Sequence, residues 1–203
     1  MADCSAGRVS DMADFTVSLA PVDEPLRGLL RAHARGTPCQ SALADEFSKI
    51  LGASEDPFRR ERLAGHFTAS AWLVSADGER VLLTHHRKLG RWLQLGGHAD
   101  GDRDLARVAM TEACEESGLE GLRLEDPGIF DLDRHWIPER EDVPGHWHYD
   151  VRFVIRAGAS ETFRVSEESL ALAWRDIAEI AGDPADASLR RMAHRWQKGD
   201  GGN

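Results

Sequence analysis

Cysteine is scarce in this chain: three in 203 residues, Cys4, Cys39 and Cys114, odd in number and far apart. That pattern does not build a disulfide frame; it points to reduced thiols and a cytoplasmic setting. No apolar run approaches the length of a membrane span. The opening residues, MADCSAGRVSDMADF, lack the basic-then-apolar order of a secretory signal. No internal repeat is present. Positive charge is also short: 25 Lys and Arg against 35 Asp and Glu leave a formal net charge of −10. This argues against general binding to DNA, RNA or an anionic membrane. An acidic chain that handles phosphates then needs a local basic patch or a bound cation.

What remains is an ordinary globular composition, 41% hydrophobic and 30% charged, long enough for one sizeable core. The stretch that carries chemistry is GGHADGDRDLARVAMTEACEESGL, from Gly96 to Leu119. It reads as a glycine-rich turn followed by one helix. Asp102 or Asp104 can cap its start and Gly118 its end. Leu105, Val108, Ala109 and Ala113 form its apolar stripe. Glu112, Glu115 and Glu116 stand at i, i+3 and i+4, so all leave one face, about 6 Å apart at Cβ. They repel one another and sit near the negative end of the helix dipole. Two explanations compete: a solvated acidic face, or a site for a hard divalent cation with oxygen ligands. Gly96 and Gly97 lack Cβ atoms, so the backbone there can approach something closely and offer a carbonyl to a metal. Cys114, beside these carboxylates, is a poor nucleophile because its thiol pKa is raised.

On these residues the chain resembles the Nudix (MutT-like) hydrolases. Their signature reads Gly, five residues, Glu, seven residues, Arg-Glu-aliphatic-x-Glu-Glu-x-Gly-aliphatic. The resemblance holds at Gly97, Glu112, Glu115, Glu116, Gly118 and Leu119. It departs at Arg103 (family Glu), Thr111 (family Arg) and Ala113, which is smaller than the usual aliphatic residue. Arg107, one turn before Thr111, is the candidate substitute for the family's Arg. The resemblance implies an α/β fold, a mixed sheet in an α/β/α sandwich, over residues 63–203. It implies divalent-metal-dependent hydrolysis of a pyrophosphate bond in a nucleoside diphosphate linked to another moiety. Mg²⁺ or Mn²⁺ would be held by Glu112, Glu115, Glu116 and the Gly96 carbonyl. Glu112 and Glu116 are then the catalytic residues, with Glu112 the first choice as general base. An acid of the loop carrying Glu139, Glu141 and Asp142 is the second choice. The alternative is a Nudix-fold nucleotide-binding module with weak or no hydrolysis, favoured by Arg103 and Thr111. An isopentenyl diphosphate isomerase on the same fold needs a cysteine in the core pocket, which neither Cys39 nor Cys114 supplies. The implied partner is a nucleotide-type small molecule, not DNA or a membrane. A homodimer is a candidate assembly, since relatives commonly dimerise.

Taken in order, residues 1–62 read as a helical extension, with the first dozen residues and the tail GDGGN disordered. Asp23-Pro25, Pro38 and Asp56-Pro57 each open a helix. Strands follow over 66–75 and 80–86, joined by an Asp77-Gly78 hairpin. His85, His86, Arg87, Lys88 and Arg91 then form the densest basic cluster. Lys88 and Arg91 are candidate phosphate contacts; the alternative is solvent-exposed loop charge. His98 either meets substrate or packs in the turn. A strand is expected over 128–133, a loop over 134–146, and an alternating strand over 147–155. That strand puts His148, Asp150 and Arg152 on one face, lining a pocket with His148 against substrate or facing water. A short strand over 170–174 and two capped helices, begun by Asp176 and Asp186, complete the chain.

Overall fold

The computed structural model describes residues 23–87, 90–140, 143–164 and 169–199. In chain order these form α1 (Glu24–Gly36), α2 (Ser41–Ile50), β1 (His66–Val74), β2 (Arg80–His86), β3 (Arg91–Leu93), β4 (Leu95–His98) and α3 (Leu105–Ser117). There follow β5 (Arg123–Leu124), β6 (Asp131–Ile137), β7 (His146–Arg156), β8 (Ser169–Asp176), α4 (Ile177–Gly182) and α5 (Ala187–Gln197). Disorder expected in the first dozen residues and in the tail falls outside the described residues, apart from Gly199.

The eight strands make one mixed sheet. β1 and β7 run parallel at its centre, with His66 opposite His148 and Ala71 opposite Phe153. β4 pairs antiparallel with β1, and β6 antiparallel with β7. β2 carries β3 and β8 on its two edges. Alternation explains the layers, because successive strand residues point to opposite faces. Phe67, Ala69, Ala71, Leu73, Val151 and Phe153 join α1, α2 and α3 in one buried cluster. Trp72, Val74, Val81, Leu83 and Val154 join α4 and α5 in the other. The result is the expected α/β/α sandwich. Leu30 and Phe47 of the N-terminal helices are fully buried in the same cluster as Ala109 and Ala113 of α3, so α1 and α2 cover the core.

Three local expectations are corrected. Asp56-Pro57 opens no helix. The Asp56 carboxylate instead accepts from the Phe58 N–H at 3.0 Å, and the Pro57 carbonyl accepts from Phe67 N–H at 2.7 Å. The segment is thus tied down as a turn against the start of β1, and Phe58 is buried. Gly96-Gly97 is a strand, not a turn, in register with Ser70 and Ala69. The turn comes later, where Asp100 and Gly101 have positive φ (47° and 91°). Finally, the strand expected over 128–133 begins at Asp131, and the loop expected over 134–146 shrinks. The β6–β7 ladder continues to Ile137↔His146, and Trp136 packs edge-on against Trp147 with centroids 5.3 Å apart.

Candidate functional site

Helix α3 presents the glutamates as its spacing requires. The Asp104 side chain caps it by accepting from Arg107 N–H, and Gly118 ends it in the left-handed region at φ 64°. Its apolar stripe packs on β1 and β4, which brings the last turns of α3 against the two glycines. Gly96 N–H donates to Glu116 Oε1 at 2.8 Å. A Cβ on Gly97 would fall 2.2 Å from Glu112 Oε1. The missing side chain at position 97 is therefore the space that the Glu112 carboxylate occupies. Glu115, on the same helix face, is exposed. Arg60 lies near enough for Glu112 to add to the raising of its pKa, although the larger cause is its hydrogen bond to Asp100. Burial first, then the Glu115 charge, pushes the Cys114 thiol up, as expected.

One departure from the signature, and the candidate substitute for another, find their places. Arg107 does not stand in for the family's Arg: it turns back along the helix to Asp102, with bonds of 2.9 and 2.6 Å. Arg103 pairs with Asp23 and, at 3.2 Å, with Asp56, while its guanidinium lies 4.7 Å from the Phe58 ring centroid. It ties α1 and the 56–58 turn to the start of α3. A cavity of about 850 Å³ opens beside this tie, lined by Asp23, Leu29, Arg103 and Met110 among others. None of the three glutamates lines it, so it is not the site their chemistry defines.

Arg91 is exposed on β3, opposite His86. Lys88, Glu141 and Asp142 lie outside the described residues, and Glu139 is exposed. His98 and His148 come together on the sheet face opposite α3, with ring centroids 5.1 Å apart. Burial is the main cause that pushes His98 down to about 4 and His148 to about 2; Arg60 and neighbouring histidines add to it at His98, against Asp100, and neighbouring histidines add to it at His148. Both are neutral at pH 7 and cannot meet a phosphate as cations.

Sequence reasoning missed three features. The Arg60–Asp100 pair, with Nε to Oδ1 at 2.6 Å, stands beside the glycine strand. His66 and His146 join His148, and the alternating His146-x-His148 was the available signal. Further along the same face, Arg152 is buried against Asp150 (2.7 Å), Asp131 (3.0 Å) and Asp133 (3.2 Å). Asp150 also accepts from the Thr68 and Ser70 hydroxyls at 3.0 and 2.8 Å. The face thus lines no open pocket at Asp150 and Arg152, and it does not face water there; it is a buried ionic network.

The mixed sheet with helices on both faces has the fold of solved structures described as a MutT protein and an Ap4A hydrolase. Among solved structures, a MutT protein of Methanosarcina mazei superposes with a TM-score of 0.53 at 19% identity, covering 68% of this chain and 97% of that one. An Ap4A hydrolase of C. elegans superposes with a TM-score of 0.50 at 14% identity, covering 65% of this chain and 95% of that one. No family model matches the sequence, and no curated protein matches it. At these identities the likeness establishes the fold, and function rests on the site itself.

Proposed function

We propose that the chain is a divalent-cation-dependent hydrolase of the pyrophosphate bond in a nucleoside diphosphate linked to a second group. The observation that carries this is the Glu112 carboxylate seated over Gly97, with Glu116 held by the Gly96 N–H. A solvated acidic face has no need of a glycine strand cut to fit its carboxylates. Oxygen donors of this kind suit Mg²⁺ or Mn²⁺. Glu112, Glu115, Glu116 and the Gly96 carbonyl would hold the ion. When bound, it neutralises and orients the diphosphate oxygens.

The chain's residues supply the rest. Glu112 takes the proton from the attacking water, with an acid of the 139–142 loop as the alternative base. Lys88 and Arg91 meet phosphate oxygens as donors and charges. His98 and His148, on the sheet face away from α3, would meet only a part of the substrate that extends past the strand to that face.

The test is a chromatographic screen for the phosphate-ester products of pyrophosphate cleavage, over dinucleoside polyphosphates, nucleotide sugars, nucleoside triphosphates and capped RNA, with and without Mg²⁺. Turnover is expected only with the cation. Glu116→Gln should lower it by orders of magnitude while circular dichroism stays that of the parent. A folded Glu116→Gln that turns over like the parent overturns the proposal. Nucleotide binding by calorimetry, with no turnover across the panel, would instead identify a binding module.

A further inference from the structure

We propose that His66, His146 and His148 form a binding site for a borderline transition-metal ion, Zn²⁺ first among them, separate from the carboxylate site on α3. The rings come from β1 and from alternate residues of β7, and the parallel register sets His66 opposite His148. One ligand nitrogen of each lies within 4.8 Å of the other two. His146 Nε2 and His148 Nε2 are 3.2 Å apart. Two nitrogens on a tetrahedral Zn²⁺, with bonds of about 2.05 Å, sit about 3.3 Å apart. That pair is already at ligand spacing, and the third nitrogen closes on it from within 4.8 Å.

The outer contacts fix which nitrogen faces inward. His146 Nδ1 lies 2.8 Å from the Pro144 carbonyl, and His66 Nδ1 lies 3.3 Å from the Arg62 carbonyl. A carbonyl only accepts, so both Nδ1 atoms carry the hydrogen, and in a neutral imidazole both Nε2 atoms then carry lone pairs. Outer carbonyls orient metal-binding histidines in this way. His66 is 2% exposed and its Nε2 has no hydrogen-bond partner. A buried acceptor left unpaired is costly, and a cation among the Nε2 atoms removes that cost.

The chemistry selects the ion. Imidazole nitrogens suit Zn²⁺, Co²⁺ or Ni²⁺, whereas Mg²⁺ takes oxygen. The His98 ring lies 5.2 Å from His66, and the His135 ring 5.4 Å from His148. Neither is needed for the three-nitrogen set, and the fourth position is left to water or to His98. The strand register separates this site from the glutamates. Thr68↔His98 and His66↔His148 share one face of the sheet, while Ala69↔Gly97 point to the other, toward Glu112.

The experiment uses the full chain stripped with chelator and titrated with Zn²⁺ by calorimetry in a large excess of Mg²⁺. One equivalent of Zn²⁺ is expected to bind despite the Mg²⁺, with a rise in Tm, and Co²⁺ should give the intense visible bands of a tetrahedral site. His146→Asn should weaken Zn²⁺ binding by about tenfold or more, the scale set by loss of even an outer contact. The Glu112→Gln/Glu116→Gln double variant should bind Zn²⁺ as the parent does. Absence of Zn²⁺ binding under Mg²⁺, or its loss in the glutamate variant with retention in His146→Asn, overturns the proposal. Should His146→Asn fail to fold, X-ray absorption of the zinc-loaded parent decides: imidazole scattering supports the site and an all-oxygen shell refutes it. Hydrolysis is not read in any arm, so this result and the proposed activity stand or fall independently.

Discussion

At the scale of single residues, the two adjacent glycines of β4 do different work. A Cβ at position 97 meets the tip of a flexible side chain, Glu112 Oε1 at 2.2 Å. A Cβ at position 96 meets backbone: Ala69 O at 2.5 Å and Ser70 Cα at 2.8 Å, besides Ser70 Oγ at 2.5 Å. The first clash is relieved by swinging a carboxylate away, the second only by shifting β1. Gly97→Ala should therefore keep nearly the parent's stability and lose most cation-dependent turnover. Gly96→Ala should lose about 1–3 kcal/mol, the usual range for overpacking. Urea unfolding and the chromatographic turnover assay, run on both variants, separate the effects. Parent-like turnover in Gly97→Ala would mean that the position of Glu112 does not matter.

Elements were legible in the sequence to the extent that their causes are local. Helix α3 could be read with its cap, its stop and its three-glutamate face, because each lies within a few residues of the next. So could α4 and α5, whose caps Asp176 and Asp186 each accept from two backbone N–H groups. Strand β4 was not legible: Gly-Gly favours a turn, and only pairing with β1, some thirty positions earlier in the chain, makes it a strand. Arg103 was misleading for the same reason. Read against the signature it is a lost acid; in the fold it joins α1 to α3 through Asp23 and Asp56. Restoring the family residue is therefore expected to do harm. Arg103→Glu would set a third carboxylate beside Asp23 and Asp56, lowering Tm without raising turnover. A rise in turnover at unchanged Tm would show that the missing acid, not the lost tie, limits the site.

At the scale of the whole molecule, the sheet closes over a buried ionic network that no single segment announces. Arg152, 3% exposed, faces Asp131, Asp133 and Asp150, and Arg191 of α5 reaches Asp131 at 2.8 Å and Asp133 at 3.2 Å. The network bolts β6, β7 and α5 together. Removing its central cation strands the carboxylates in the interior, so Arg152→Met should cost about 3–5 kcal/mol. The acid dependence of stability follows from Asp133. Burial opposes its charge, but the hydrogen bond from His135 and the Arg152 and Arg191 charges outweigh it, holding its carboxyl below the ordinary 3.8. With the folded value below the unfolded one, the native state binds fewer protons. The contribution is complete above 3.8 and drains away as pH falls through that value toward the folded one. Thermal unfolding between about pH 5 and pH 2.5, across the aspartate range, should show Tm falling more steeply in the parent than in Asp133→Asn. That variant starts from a lower Tm at neutral pH because it has lost its charge against both arginines. Equal slopes in the two proteins would mean that Asp133 is no more acidic in the fold than in the unfolded chain, and that the network does not hold its proton off.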